Sequence, residues 1–164
     1  MEIRPVRPEE FEDAGRVTAG AYEEFAPGGP SPNRDYLARV ADVRTRSRLA
    51  LILGAFEDGR VLGTVTLELD DRIPGGHPRP PLEPGQAHVR MLGVDPTARR
   101  RGIARALMEA CLAEARAAGK DRITLETTET MVGAQRLYES MGFERGPDQV
   151  YDDEFRLRTY EYRL

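Results

Sequence analysis

Apolar residues recur along this chain with two periods, and the two alternate. Phe11, Ala14, Val17 and Ala21 fall at the spacing of one helix face. Pro8-Glu9-Glu10 opens that helix, since proline suits a first turn and carboxylates suit its positive end. The breaker run Pro27-Gly28-Gly29-Pro30 ends it. A second helix is predicted from about Arg34, capped by Ser31-Pro32-Asn33. Tyr36, Leu37, Val40 and Val43 form its buried face, and Arg39, Arg44, Arg46 and Arg48 point outward.

The period then shortens to two. Leu49 to Phe56 is an apolar run of strand length, buried on both faces. Glu57-Asp58-Gly59 is a hairpin turn, and Arg60 to Leu69 returns as a strand that sets Val65, Leu67 and Leu69 against Thr64, Thr66 and Glu68. Asp70 to Gly85 carries five prolines and three glycines and no period, which predicts a long loop that is mobile, functional or both. Gln86 to Val94 is the next strand. A helix follows from about Arg99 to Ala118, with Ile103, Leu107, Cys111 and Ala115 in register and Gly119 as its stop.

Arg122 to Glu129 alternates as a strand, Val132 to Met141 reads as a helix stopped by Gly142, and Phe143 to Arg145 is a short strand. Pro147 to Glu154 is an acidic loop, and Phe155 to Leu164 closes the sheet; with Glu2 to Val6 as the first strand, the order is β-α-α-β-β-β-α-β-α-β-β. The strand–helix–strand unit from Gln86 to Glu129 requires a parallel pair joined by a right-handed crossover. The predicted class is α/β: a central mixed sheet of six to seven strands, flanked by about four helices, in a single domain over residues 1–164.

Bulk composition narrows the function classes. The net charge is −4, from 28 acids against 24 bases, which argues against a general nucleic-acid or anionic-membrane binder and suits a cationic ligand. The single cysteine, Cys111, precludes an intrachain disulfide and lies on an apolar helix face, as a core residue does. There is no cysteine–histidine metal cluster, no signal-peptide pattern at Met1 to Glu10 and no apolar run near the ~20 residues of a membrane span, so a cytoplasmic protein without a metal is expected.

The chemistry concentrates where the strand ending at Val94 meets the next helix. Three consecutive arginines, Arg99 to Arg101, oppose the helix macrodipole, and Gly102 costs about 1 kcal/mol relative to alanine inside a helix. An anion resting on the helix N-terminus would compensate both, because backbone N–H groups point at it and glycine lets it approach. Neither phosphate-loop fingerprint, Gly-x-x-x-x-Gly-Lys-Ser/Thr or Gly-x-Gly-x-x-Gly, is present. The plain alternative is an arginine-rich solvated helix start.

Val94-x-Pro96-x-x-Arg99-Arg100-x-Gly102-Ile103-Ala104-x-x-Leu107 resembles the acyl-CoA-binding segment of the GNAT superfamily of N-acetyltransferases, whose pattern is Gln/Arg-x-x-Gly-x-Gly/Ala. Ala134-Gln135-Arg136-Leu137-Tyr138-Glu139-Ser140-Met141-Gly142-Phe143 is similar to the family's A-x-x-L-Y-x-x-x-G-F. The resemblance covers Gln86 to Phe143 closely and implies a GNAT-like fold with acetyl-CoA (coenzyme A) as donor. It implies that main-chain groups of Met91, Leu92 and Val94 hold the pantetheine arm. The N–H groups of Arg99, Arg100, Arg101, Gly102, Ile103 and Ala104 would hold the pyrophosphate. Tyr138 matches the family's general acid, and Glu126, in Leu125-Glu126-Thr127, resembles the base of the ribosomal-protein-type enzymes.

Glu68 and His88 are rival bases, and packing or a solvated strand position are the bland alternatives for Tyr138 and Glu126. Met131 stands where the family often has an asparagine contacting the cofactor. The acidic residues Glu23, Glu24, Asp70, Asp71, Asp148, Asp152, Asp153 and Glu154 are expected to rim the site and suit an amine acceptor, whether a small molecule or a peptide. The expected reaction is acetyl transfer to a primary amine by direct attack in a ternary complex, with main-chain N–H groups of Val89 to Val94 on the oxyanion. A homodimer is compatible with the resemblance. The alternatives are a non-catalytic acyl-CoA-binding regulatory module, a phosphate-ester or nucleotide enzyme, and a basic nucleic-acid module; the last conflicts with the net charge.

Overall fold

The structure is a computed structural model and describes residues 1–25, 30–71, 80–151 and 155–164. Of the predicted breaker run Pro27 to Pro30, residues 27–29 lie outside the described residues, as do most of the long loop and residues 152–154, while Pro30 opens a helix four residues before the expected start near Arg34. The elements in chain order are β1 (Glu2–Pro5), α1 (Phe11–Tyr22), α2 (Pro30–Ala41), α3 (Val43–Arg46), β2 (Leu51–Glu57), β3 (Arg60–Glu68) and β4 (Gln86–Val94). Then follow α4 (Ile103–Ala117), β5 (Arg122–Thr127), α5 (Val132–Ser140), β6 (Glu144–Arg145), β7 (Gln149–Tyr151) and β8 (Phe155–Arg163).

These strands form one eight-stranded sheet in the order β1-β2-β3-β4-β5-β8-β6, with β7 pairing β8. Among the described residues only β4 and β5 run parallel, joined by the predicted crossover through α4, and the other pairs are antiparallel. The class is the mixed α/β sheet expected. The eighth strand is β7, which falls in the segment read as an acidic loop. Its three residues are too short for a period to show.

The second predicted helix differs from expectation in its division and in one side chain, both for local reasons. The second predicted helix is two: Asp42 caps α3 by accepting from the Thr45 N–H at 3.0 Å, so Val43 lies one break beyond Val40. Arg46, expected outward, instead folds back over the end of α2. Its Nη1 donates to the carbonyls of Arg39 at 2.9 Å and Val40 at 2.8 Å. The Val40 carbonyl has no backbone donor among the described residues and that of Arg39 has only the Asp42 N–H at 3.3 Å, which draws the guanidinium inward.

The sheet separates two cores. On one face α4 lays Ile103, Leu107, Met108, Cys111 and Ala115 against Val65, Leu67, Ala87, Val89, Ile123 and Leu125, joined by Tyr138, Phe143 and Tyr160. Each such fully buried aliphatic side chain contributes about 1.5–3 kcal/mol of transfer free energy. On the other face α1 and α3 pack Ala14 and Val43 on Val6, Ile52, Phe56 and Val61. That second covering buries the polar side of β3 as well: Thr64, Thr66 and Glu68 are each 2% exposed. The alternation of β3 is therefore real, but its polar positions face a covered site rather than water. The Thr64 hydroxyl pairs with that of Thr18 on α1.

Candidate active site

The parallel pair β4–β5 is registered only from Gln86↔Arg122 to Val89↔Leu125. Beyond Val89 the partnership changes. Between the β3 partners Thr64 and Thr66 stands one residue, while β4 runs from Arg90 to Gly93 with two, Met91 and Leu92. Met91 takes φ +53, a left-handed conformation costly for a side chain of that size. This is a β-bulge, which bends β4 away and leaves its main chain beyond Val89 without a β5 partner. Leu92 and Val94 lie on this stretch, half-buried. Strain of this kind persists where the surrounding structure imposes it, and it concentrates at functional sites.

At the end of the same strand the chain turns through Pro96–Ala98, capped by Asp95, which accepts from the Thr97 N–H at 2.8 Å and its hydroxyl at 2.7 Å. Arg99 is extended, Arg100 has φ +64 and Gly102 has φ +78 as the N-cap of α4. The three arginines therefore precede the helix rather than occupy its first turn, which corrects the expected start at Arg99. Two left-handed residues within three positions make a concave run of N–H groups. The first N–H past Gly102 to find a backbone carbonyl among the described residues is that of Ala106, at 3.0 Å from the Gly102 oxygen. A Cβ on Gly102 would meet nothing within 4 Å, so the cradle is open.

The arginine side chains are mostly committed elsewhere. Arg99 pairs with Glu24 at 2.6 Å, and Arg101 holds both Glu57 oxygens at 2.7 and 2.8 Å. Arg105 donates to Ser140 at 2.7 Å, tying α4 to α5. The cradle is thus a main-chain device held by ion pairs at its flanks.

Below the bulge a cavity of ≈ 130 Å³ is walled by Tyr22, His88, Arg90, Met91, Glu126 and Met131, with Tyr36, Val89, Thr127, Thr128 and Leu157 completing it. A second, of ≈ 420 Å³, shares His88 and Glu126. Glu126 is half-buried and accepts the Tyr151 hydroxyl at 2.6 Å. His88 Nδ1 lies 2.9 Å from the Thr124 hydroxyl, which also accepts from Gln86 at 2.8 Å. Glu68 is 3.3 Å from Arg90. Thr127 donates to the Met131 sulfur at 3.5 Å, so the thioether occupies the asparagine position of the resembled motif.

Tyr138 approaches from the other face, packed at 5.9 Å from the Phe143 ring and 5.8 Å from that of Tyr160. Burial, with Cys111 and Tyr160 beside it, raises its phenol well above the usual 10. Burial also raises that of Tyr22, Tyr138 and Tyr36 adding to the effect and Arg90 and Arg46 opposing it. The two tyrosines from opposite faces of the sheet are therefore within electrostatic range of one another.

Residues 17–143, well over half the chain, match the family model of the acetyltransferase (GNAT) family. This chain belongs to that family. The GNAT chain is 35% identical over 127 residues to a mycothiol acetyltransferase of Beutenbergia cavernae, covering 77% of this chain and 39% of that protein. It spans between 19% and 50% of the length of the curated relatives it matches. Its fold superposes on a ribosomal-protein-alanine N-acetyltransferase from Brucella melitensis with a TM-score of 0.71 at 19% identity, over 100% of both chains. A GNAT family acetyltransferase from Brucella melitensis in complex with acetyl-CoA gives 0.64 at 26% identity, over 93% of this chain and 92% of that one.

Met91, Glu126 and His88 thus meet in one cavity, Glu68 stands beside it on Arg90, and Arg99 to Ala104 form a separate cradle at the other end of β4. Sequence reasoning missed Tyr22, Tyr36, Arg90 and Tyr151. Arg90 was findable: alternation from His88 puts it on the face of Glu126. The tyrosines carry no local signal, because helix packing brings them in. Of the acidic residues expected to rim the site, Glu24 is spent on Arg99 and Asp148 pairs with Arg145 at 2.6 Å. None of the described ones walls the ≈ 130 Å³ cavity.

Proposed function

We propose that this GNAT chain, residues 1–164 as one catalytic domain, transfers an acetyl group from acetyl-CoA to an amine acceptor by direct attack in a ternary complex. The observation that carries this reading is Glu126 in a cavity directly below the bulge at Met91. The residues fit the donor: the open cradle at Gly102 presents N–H groups that find no carbonyl among the described residues to a pyrophosphate, and β4 main chain at Met91, Leu92 and Val94, which has no β5 partner, suits the amide groups of a pantetheine arm. Acetyl-CoA supplies the thioester whose acetyl carbon the amine attacks.

Glu126 accepts a proton from the acceptor ammonium, and the Tyr151 hydroxyl holds that carboxylate in place. Tyr138 keeps its proton at neutral pH and hands it to the departing sulfur, so the new N–C bond forms as the C–S bond breaks. Main-chain N–H groups of β4 stabilise the carbonyl oxygen. Glu68 and His88 are less suited as bases, since Arg90 and Thr124 already engage them. A covalent acyl-cysteine route lacks support: the single cysteine, Cys111, is buried and its thiol is pushed up by burial.

A panel of small amines and peptides with acetyl-CoA, read by free thiol release, tests the reading. Intersecting initial-rate lines are expected for the ternary complex; parallel lines overturn it. Coenzyme A binding without thiol release from any amine would leave the chain a binding module.

A further inference from the structure

The cavity that holds Glu126 has a second, opposite character. Tyr22 and Tyr36 form part of its wall with rings 6.5 Å apart, and neither hydroxyl has a hydrogen-bond partner among the described residues. Arg90 stands beside them, with one nitrogen 3.3 Å from Glu68. Arg46 comes from α3, near enough to Arg90 and Tyr22 for each to act on its charge. Its Nη1 is spent on the carbonyls that end α2, but its Nε is buried without a partner. Burial, with Arg90 adding to it, lowers its guanidinium to about 10.

Charged groups held out of water are costly unless opposite charges offset them. Glu68 does so for Arg90, and the Asp42 carboxylate offsets part of the charge on Arg46, which does not line the cavity. Arg90 and the two phenols line space whose described walls carry no carboxylate besides Glu126, which the Tyr151 hydroxyl engages. Both signs are therefore displayed in one cavity of ≈ 130 Å³, whose other walls include Val89, Met91, Met131 and Leu157. That volume equals a few water molecules, far short of a folded polypeptide.

We infer that the acceptor is a small zwitterion, an apolar α-amino acid, whose carboxylate is held by Arg90 with Tyr22 and Tyr36 while its amine faces Glu126. The inference rests on the acetyltransferase reading, and it makes Arg90 a specificity-determining residue. A peptide N-terminus is disfavoured, because its carboxylate is replaced by an amide. The binding group recognises an oxyanion, so an aminoalkyl phosphonate is the comparison that separates carboxylate from phosphate-like anions.

The test uses the products as probes, so it does not depend on turnover. N-acetylalanine, N-acetylvaline and N-acetylmethionine, their amides, and 1-acetamidoethylphosphonate are titrated calorimetrically into the full chain in the presence of coenzyme A. At least one acid is expected to bind tenfold or more tightly than its amide. Arg90→Gln is expected to abolish that difference, with coenzyme A affinity unchanged as the folding control, and Arg90→Lys to keep part of it. Equal binding of every acid and amide, or binding of neither, overturns the inference, as does a preference for the phosphonate over the carboxylates. Coenzyme A binding is measured in the same cell. Its loss in the unmodified protein overturns the acetyltransferase reading, and its retention without acid preference overturns only the zwitterion.

Discussion

Tyr138 and Glu126 lie on opposite faces of the sheet, and each has neighbours that bear on the role proposed for it. The Tyr138 ring is wedged between Phe143 and Tyr160, so replacing it by phenylalanine keeps the packing and removes only the hydroxyl. Tyr138→Phe is therefore expected to lower kcat about 10²-fold or more, the size of a lost general-acid contribution, with the melting temperature held within a few degrees. Thiol-release kinetics and a thermal melt decide it; unchanged kcat removes Tyr138 from the mechanism. Glu126→Gln keeps an oxygen for the Tyr151 hydroxyl and loses the basic carboxylate. The expected result is a fall in kcat/KM of about 10²-fold and loss of the rising acid limb of its pH profile. If that limb survives, His88 or Glu68 is the base. The contrast between these two residues also explains what sequence could convey about them. Tyr138 stands in a ten-residue motif that carries its own context. Glu126 is one carboxylate in an alternating strand, and only the cavity that Met91, His88 and Arg90 build around it distinguishes it from a solvated one.

At the scale of elements, the turn into α4 and the turn into α5 make opposite use of their N-caps. Gly102 caps α4 at φ +78, where an L side chain is strained even with open space around it. Gly102→Ala is expected to cost about 1–2 kcal/mol of stability, and to weaken coenzyme A binding by more than tenfold, since the cradle's N–H directions depend on that conformation. Calorimetry with coenzyme A and a urea melt separate the two effects. An affinity that falls only in proportion to the unfolded fraction would deny the cradle its role. Met131 caps α5 with no side-chain bond to the N–H groups of the helix's first turn. Met131→Asn supplies a capping acceptor and is expected to stabilise the protein by about 0.5–1 kcal/mol, read as a rise in the urea midpoint at constant slope; a fall would mean the Thr127–sulfur contact and cavity packing outweigh the cap. Elements with uninterrupted period, α4 and the β2–β3 hairpin, were legible from sequence because propensity, turn chemistry and burial agree in them. The bulge at Met91 was not: it is a register mismatch between β3 and β4, and neither strand records it alone. The break at Asp42 and the inward turn of Arg46 were missed for a related reason, since orphaned helix carbonyls attract a cation only once the helix end is placed.

The whole molecule sets charged groups against one another in a way that fixes its response to acid. Glu10 bonds to Arg4 through both oxygens, at 2.7 and 2.8 Å, and accepts from the Arg7 N–H at 2.9 Å, clamping the start of α1 to β1. Those bonds to Arg4 chiefly hold its carboxyl at about 2, against an ordinary 4.5. Asp42, held by Thr45; Glu57, held by Arg101; Asp95, held by Thr97; and Asp148, held by Arg145, are lowered as well. A carboxyl whose folded value lies below its unfolded one binds fewer protons in the native state, so unfolding takes up protons and stability rises with pH. Its contribution is complete above the unfolded value and is lost as pH falls through the folded one. For Glu10 that window runs from about 4.5 down to about 2. Because several of these groups hold the site's flanks, Glu57 on Arg101 beside the cradle above all, acid should loosen the donor site as well as the fold. The urea midpoint is expected to fall steadily between pH 5 and pH 2, and Glu10→Gln, lacking the ionised partner, should be less stable at pH 7 yet lose less on acidification. Two melts at pH 7 and pH 3 for each protein suffice: parallel falls for wild type and variant would show that Glu10 titrates alike in both states, and that the clamp on β1 is not electrostatic.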